Sequence, residues 1–245
     1  MRQAHNGYQN SLFQHSATSL RATLSIYIST NRVGNTVTQL LDSPKFEVNS
    51  RGYIKNILKT YKIATVQDIE NGLEWYDRAK RMAAWISQKT GINEKAVIGV
   101  AAGLSPNNRW ERNCKDTLTM CEAWLNGETL EDFKVSCYNK MKQKAWSILE
   151  DGLEEDDTIL NRLNGQKIRS FYSNIRGLEE VTIDGHALNI ARGKREGLTS
   201  DKTNMGKKQY KELQAAYVTA AKRIKIKPSE LQAITWTTWK RIHNI

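Results

Sequence analysis

The stretch "LNGQKIRSFYSNIRGLEEVTIDGHALNIARG", residues 163–193, predicts two short helices joined by a polar loop. Lys167 comes just after a glycine turn at Gly165, and Asp184 stands seventeen residues further on, in front of a new apolar pattern. An amine and a carboxylate are therefore predicted at the starts of two successive helices. Each has an ordinary explanation when taken alone, because a lysine after a turn is usually a surface cation and an aspartate at a helix start is usually a cap.

Helical patterns continue outward from this stretch on both sides, from Asp42 to the carboxyl end. Alternation with period two is absent except for "VTI" at 181–183, which is too short to predict a strand. The predicted helical segments are a periodic stretch from Ile69 to Ile86 stopped by Gly91, a buried core helix at Asn93–Gly103, Trp110–Leu125, and segments at 138–150, 156–163, 166–176, 185–193, 206–224 and 228–243. The fold class is therefore predicted to be all-α.

The chain length of 245 residues is enough for one large domain or for two small lobes, each with its own core. Residues 1–41 contain no acid and three bases, and they are predicted to be a polar amino-terminal arm or a capping segment. Residues 42–245 are predicted to be one helical domain. Hydrophobic residues make up 39% of the chain. Because no apolar run approaches the roughly 20 residues that span a bilayer, a membrane protein is not expected.

The net charge of +11 is unevenly spread, since residues 163–245 hold 16 Lys and Arg against 7 Asp and Glu. The chain also contains seven Trp and nine Tyr. Positive charge combined with aromatic rings favours a nucleic acid partner, although a solvated lysine-rich surface has the same charge. The three cysteines lack paired spacing and the four histidines are scattered, so neither a disulfide framework nor a metal cluster is predicted.

The last predicted helix, 228–243, has two faces. It begins at Pro228, which suits a first helical turn. At about 3.6 residues per turn, one face is a core stripe. That stripe consists of Leu231, Ile234, Thr235, Thr238 and Ile242, and the other face collects Gln232, Trp236, Trp239 and His243. Two interpretations of the second face remain open: tryptophans packed on a neighbouring helix, or a ligand pocket with rings for stacking and an amide for hydrogen bonding.

Four motifs together resemble a known family. "LNGQKIRSF" (163–171) followed by "VTIDGHALNIARG" (181–193) resembles the core of the helix-hairpin-helix DNA glycosylase superfamily, especially its 8-oxoguanine DNA glycosylase branch, where a Gly-x-Lys hairpin precedes a Val-Asp-x-His segment. "LSPNNRWERN" (104–113) is similar to the turn that such enzymes insert into the gap left by an extruded base. "LQAITW" (231–236) resembles the helix that contacts the damaged base. The motifs occur in the family's order.

The resemblance implies a two-lobed all-α domain of helix-hairpin-helix DNA glycosylase type, with a cleft between the lobes and the active-site segment at 163–193. It implies the following roles: Lys167 as nucleophile and Asp184 as catalytic carboxylate; Phe171, Gln232 and Trp236 as base pocket; and Asn107, Asn108, Arg109, Gly165 and His186 as DNA-binding residues, with Asn107 or Asn108 filling the gap and His186 contacting a phosphate. No metal and no cofactor are implied.

Three features depart from the family pattern. The hairpin usually reads Leu-Pro-Gly-x-Gly, whereas only Gly165 remains here, which changes the backbone amides available to a DNA phosphate. The beta-rich amino-terminal domain of the mammalian-type enzymes and the four-cysteine iron–sulfur signature of the endonuclease III branch have no counterpart.

The resemblance and the charge together predict a DNA glycosylase with AP lyase activity in base excision repair. It would flip a damaged or modified base out of double-stranded DNA, with an oxidised purine such as 8-oxoguanine as the best match, and cleave the N-glycosidic bond through a Schiff base on Lys167. A monomer is expected, located with DNA in the cytoplasm, nucleoid or nucleus. The alternatives are a modified pyrimidine as substrate, a non-catalytic DNA-binding module of the same fold, or an enzyme that modifies or exchanges the flipped base.

Overall fold

The structure is a computed structural model that describes residues 44–198 and 205–245, without the side chains of residues 44–49. The predicted arm at 1–41 lies outside the described residues. Those residues form eleven α-helices and no β-strand, which confirms the all-α prediction. The helices are α1 Pro44–Lys62, α2 Val66–Leu73, α3 Trp75–Thr90, α4 Glu94–Gly103, α5 Trp110–Leu125, α6 Asn139–Glu150, α7 Asp156–Arg162, α8 Gln166–Arg176, α9 Gly185–Arg192, α10 Lys207–Ile224 and α11 Pro228–His243.

Local signals set several helix ends where the sequence predicts them. Asp184 is the N-cap of α9, and its side chain accepts a hydrogen bond from the Ala187 amide. Pro228 occupies the first turn of α11, where its missing N–H costs nothing. Gly91 ends α3 with a φ of 75°, in the left-handed region that glycine adopts without strain.

The periodic stretch from Ile69 to Ile86 is two helices rather than one. Glu74 ends α2 and begins α3, with φ −89° and ψ −2° and its amide still bonded to the Glu70 carbonyl. A single residue near the bridge region changes the direction of the chain without disturbing the apolar spacing on either side of it. The apolar periodicity therefore predicted one continuous helix, whereas the structure has a break at Glu74.

The described helices pack in two groups. The first helix group consists of α1, α2, α9, α10 and α11, and the second consists of α3 to α8. In the second group, α4 is the central helix, and every residue from Ala96 to Gly103 is buried, which confirms the predicted core helix. A Cβ atom at Gly99 would lie 2.8 Å from Cγ2 of Ile159, so glycine is required where α7 crosses α4.

The carboxyl-terminal helix α11 lies in the first group, against α2, α1, α9 and α10. Leu231, Ile234, Thr235 and Thr238 are buried, as predicted for its core stripe. Ile242, which was predicted to share this stripe, is 38% exposed. It occupies the last turn of α11, and the periodicity that predicted its burial carries no information on where the neighbouring helices end.

The chain passes between the groups within the segment that the sequence singled out. Lys167 lies on α8 in the second group, whereas Asp184 begins α9 in the first. Glu74 is the other passage, between α2 and α3. The chain therefore crosses from one helix group to the other twice, and residues near these two crossings lie where the groups meet.

A partly buried ion pair holds the helix hairpin of α7 and α8 together. Arg176 Nε donates to Oδ1 of Asp156 at 2.8 Å, and its Nη2 donates to Oδ2 at 3.2 Å. The Tyr172 hydroxyl donates to the same Oδ1 at 2.5 Å. Through these hydrogen bonds Arg176, and to a smaller degree Tyr172, lower the pKa of Asp156 below 3.8 despite the opposing effect of burial.

We expect Asp156→Asn to destabilise the protein by about 2 kcal/mol at pH 7, because charge-assisted hydrogen bonds to Arg176 are lost. A depressed folded-state pKa contributes stability that is complete above the unfolded value near 3.8 and is lost as the pH falls through the folded value. The difference between variant and wild type should therefore shrink below about pH 4. Urea unfolding at pH 7 and pH 3 measures this, with Asp157→Asn as the matched control on the same helix turn. An equal loss at both pH values would contradict the assignment.

Candidate active site

Asp184 lies at the amino terminus of α9, where it faces α11. Its Oδ1 accepts the Ala187 amide at 2.7 Å, and its Oδ2 accepts the indole N–H of Trp236 at 3.1 Å. Both carboxylate oxygens are therefore held by N–H donors, one from the helix terminus and one from α11. This fixes the orientation of a negative charge at a partly exposed position.

Lys167 is the second residue of α8, and its side chain is partly buried. Within residues 44–198 and 205–245, it makes no hydrogen bond and no ion pair. A partly buried lysine can pack its methylene stem against the protein and keep its ammonium group in water. The Lys167 amine is therefore not engaged by the described part of the chain and is available to a ligand.

The imidazole of His186 is influenced by the charges of both Lys167 and Asp184. Burial is the largest influence on its imidazole and lowers the pKa below 6.5; the positive charges of Lys240, Lys167 and Arg195 act in the same direction, whereas Asp184 opposes them. Both predicted catalytic groups thus lie close enough to act electrostatically on the same ring. His186 is neutral at pH 7, and its Nδ1 is buried without a hydrogen-bond partner in the described part of the chain.

A cluster of aromatic rings adjoins this charged group. Trp75 is its centre, with ring centroids 5.0 Å from Tyr76, 5.2 Å from Trp110, 5.6 Å from Phe171 and 6.0 Å from Trp236. Such separations are typical of attractive edge and tilted ring contacts. We refer to these five residues as the aromatic cluster. It contains residues from α3, α5, α8 and α11, and therefore from both helix groups.

The aromatic cluster changes the expected arrangement of the base pocket. Phe171 and Trp236 were predicted to lie on opposite faces of one flipped base. In the structure Trp75 contacts both rings and joins them, and Phe171 is only 8% exposed. A base can enter between Phe171 and Trp236 only if Trp75 moves or takes part in the stacking.

Trp236 and Gln232 are one turn apart on α11 and are both tied to other elements. Trp236 is held at its edge by Asp184, and the Lys240 ammonium lies 4.5 Å from the centre of its ring. Gln232 is buried, and its Oε1 accepts the Tyr76 hydroxyl at 2.9 Å. Of the side of α11 that the sequence predicted as a pocket wall, Gln232 and Trp236 contact residues of the second helix group.

The predicted gap-filling turn joins α4 to α5 next to the aromatic cluster. Asn107 is exposed, has a φ of 56°, and donates from Nδ2 to the Tyr138 hydroxyl at 2.7 Å. Asn108 turns inward instead and donates to the buried Asp116 at 2.8 Å. Of the two asparagines that the sequence left open, Asn107 is therefore the one that can reach a partner outside the protein. Arg109, the next residue of the turn, is exposed.

Gly165 lies at the N-cap position of α8, where it has no side chain to bond the first-turn amides. Its φ of −175° is ordinary extended backbone, so its conformation does not require glycine. Asn164 beside it accepts a hydrogen bond from Lys144 at 2.5 Å. The hairpin loop thus presents free helix amides and a lysine on the same exposed edge.

Sequence reasoning missed Trp75, Trp110 and Tyr138, and it treated Tyr76 only as part of an apolar stripe. Trp75 and Tyr76 are adjacent on α3, so a core stripe can accommodate only one of them. That adjacency was the available signal. Tyr138, 62% exposed, gave none, since its importance depends on its hydrogen bond to Asn107, 31 positions away.

The three cysteines and the potential metal-ligating side chains were further candidates for chemistry. Burial raises the pKa of Cys114 to about 11 and that of Cys121 to about 12, and it raises the pKa of Cys137 to about 11. These thiols are therefore poor nucleophiles at neutral pH. In the described ranges, no three His, Cys, Asp or Glu side chains lie close enough together to hold a metal ion. None of the helices described is both long and apolar enough to cross a membrane.

Comparison with known proteins identifies the family of the chain. Residues 42–243 match the model of a family described as "Family of unknown function (DUF7178)". Because the match covers more than half of the chain, the protein belongs to this family. No curated protein and no solved structure matches the chain.

Proposed function

We propose that this member of the DUF7178 family is a DNA glycosylase with lyase activity, which removes a damaged or modified base from double-stranded DNA. The observation that carries the proposal is that the unpaired amine of Lys167 and the doubly held carboxylate of Asp184 both act electrostatically on the imidazole of His186. The two helix groups would be the two lobes of a helix-hairpin-helix DNA glycosylase fold. The substrate cleft would lie between them, with Lys167 on one lobe and Asp184 on the other.

The chemistry uses these two groups without a cofactor. Once its ammonium proton has passed to solvent, the ε-nitrogen of Lys167 attacks C1′ of the flipped nucleotide while the bond between C1′ and the base breaks, and the base leaves with the proton that the attacking nitrogen then releases. The Asp184 carboxylate stabilises the positive charge that develops on the sugar. Opening of the sugar ring gives a Schiff base to Lys167. Loss of a C2′ proton then expels the 3′ phosphate, and water finally releases the lysine.

The aromatic cluster would stack on the extruded base. Trp236 and Phe171 remain the proposed walls, and Trp75 joins them because its ring contacts both. Stacking on aromatic rings offsets part of the few kcal/mol that it costs to unstack a base from the duplex. An oxidised purine such as 8-oxoguanine is the proposed substrate, and a modified pyrimidine is the alternative.

DNA would be held by the exposed edge that runs from the gap-filling turn to the hairpin loop. Asn107 and Tyr138 are hydrogen-bonded to each other, so they can enter the gap in the duplex as one unit. Arg109 and Lys140, both exposed, lie next to them in sequence and can neutralise phosphates. The uncapped first-turn amides of α8 and Nε2 of His186, which is not fully buried, would be further phosphate donors.

Borohydride reduction of the full chain with lesion-bearing duplexes tests the proposal. We expect a covalent protein–DNA adduct that survives denaturing electrophoresis, because borohydride reduces the Schiff base to a stable amine. The panel holds duplexes with one oxidised purine or one modified pyrimidine each, together with an undamaged duplex as control. Base release without an adduct would indicate that the nucleophile is a water molecule activated by Asp184. The lyase activity would then be dropped from the proposed function. Binding with neither product would favour a non-catalytic module.

A further inference from the structure

The Tyr76 hydroxyl is the direct link between α3 and the predicted base-contacting glutamine. Tyr76 is the second residue of α3, in the second helix group, whereas Gln232 lies on α11 in the first. The hydroxyl donates to Gln232 Oε1 at 2.9 Å. Gln232 is only 5% exposed, so this hydrogen bond is largely shielded from water. A hydrogen bond in such low-dielectric surroundings is electrostatically stronger than one in water, so it holds the amide in a defined orientation.

The environment of Tyr76 keeps its hydroxyl a donor. Burial is the main influence and raises the pKa of Tyr76 to about 12, although Thr182 and Asn174 oppose it and Asp184 adds to it. Asn174 Nδ2 donates to the Thr182 hydroxyl at 3.0 Å, which fixes two of the polar groups around the phenol. The phenol therefore stays protonated across the physiological pH range.

The hydrogen bond from Tyr76 occupies the oxygen of the Gln232 amide and leaves its NH₂ group for a ligand. A carboxamide is planar, so holding its oxygen also sets the direction of its NH₂ group. Among the residues that the structure describes, Nε2 of Gln232 donates to no acceptor, and it is not one of the fully buried polar atoms without a partner. The N–H pair of Gln232 is thus the part of the amide that keeps its donors available to a ligand.

We propose that Tyr76 is a positioning residue that orients Gln232 as a hydrogen-bond donor, so that the site prefers bases with a carbonyl acceptor over bases with an amino group at the edge facing Gln232. The inference rests on the proposed function and names its substrate class. The discrimination arises because an exocyclic amine facing the Gln232 NH₂ leaves two donors unpaired, and unpaired buried donors cost more than a made hydrogen bond gains.

Matched lesion pairs test this preference. 8-Oxohypoxanthine and 8-oxoadenine carry oxygen or an amine at C6, and 5-hydroxyuracil and 5-hydroxycytosine carry oxygen or an amine at C4. We expect the wild-type chain to release the oxo member about 10-fold faster under single-turnover conditions, in whichever pair it accepts. In Tyr76→Phe the Gln232 amide is free to rotate and exchange the positions of its oxygen and nitrogen. The ratio of oxo to amino release rates should therefore fall to within about 2-fold of one.

Tyr217→Phe is the matched control, because Tyr217 is a buried tyrosine whose hydroxyl lies 3.4 Å from Thr235 Oγ1 on the same helix α11. It should leave the oxo-to-amino ratio unchanged. Thermal unfolding of both variants separates loss of fold from loss of preference. A Tyr76→Phe chain that slows both members of a pair equally would reduce Tyr76 to a structural role and overturn the inference.

The two proposals fail in distinguishable ways. A wild-type chain that releases bases and forms the borohydride adduct with an oxo-to-amino ratio of one keeps the glycosylase assignment and overturns only the role of Tyr76. A wild-type chain that releases no base in either pair and gives no adduct on the wider panel overturns both.

Discussion

Lys167→Gln is expected to abolish the borohydride-trapped adduct and to slow strand cleavage by a factor of about 1000 or more. Glutamine has nearly the length of lysine, but its amide nitrogen cannot form a Schiff base, so the covalent route is lost. The structure gives Lys167 no hydrogen bond or ion pair within the described ranges, so the substitution breaks no visible structural contact. Duplex binding should remain within a few-fold of wild type. Gel quantification of the trapped adduct and of the nicked strand measures the effect.

The control for this prediction is Lys80→Gln, which removes the same charge from an exposed position on α3. It should leave the yield of adduct unchanged. If the adduct persists in Lys167→Gln, the nucleophile must be another amine, and Lys240 is the first to consider because it also acts on His186 and lies over Trp236. That result would contradict the mechanism proposed for Lys167.

Gly72→Ala is expected to lower the free energy of unfolding by about 3 kcal/mol, the largest stability loss that we predict. A Cβ atom at Gly72 would lie 2.5 Å from both the Cα and the N of Ile234, and a helix backbone cannot move aside as a side chain can. Helix α2 would therefore separate from α11. Urea unfolding and thermal melting measure the loss. Because Ile234 lies between Gln232 and Trp236, base release should fall as well.

Gly52→Ala is the matched control, since a Cβ atom at Gly52 meets nothing within 4 Å in helix α1. There the substitution should raise stability by up to about 1 kcal/mol, because alanine favours a helix interior over glycine. Equal unfolding midpoints for Gly72→Ala and wild type would contradict the close approach of α2 to α11 on which this prediction depends.

Helix class and helix ends were predictable because they depend on neighbours in sequence. The caps at Asp184 and Pro228 and the stop at Gly91 each act within one turn of the chain. The same local rules failed at Glu74, where one residue turns the chain while the apolar period continues. A pattern of spacings records which side of a helix is apolar, but not whether two consecutive stretches point in the same direction.

The candidate site likewise has features that the sequence predicted and features that it did not. The sequence singled out Lys167, Asp184 and Trp236 by their order in motifs. It could not show that Asn108 turns inward to Asp116 while Asn107 stays exposed, because the two are adjacent and chemically identical. Side-chain direction at a turn depends on backbone angles and on partners remote in sequence.

By itself, the sequence determined an all-α chain with a basic carboxyl-terminal third and an amine and a carboxylate at the starts of α8 and α9, since these features follow from composition and from contacts within one helical turn. Only the tertiary structure decided that Trp75 joins Phe171 to Trp236 and that Tyr76 holds Gln232. Those contacts join residues that are 95 or more positions apart. They exist because two helix groups pack against each other, and no local pattern encodes that packing.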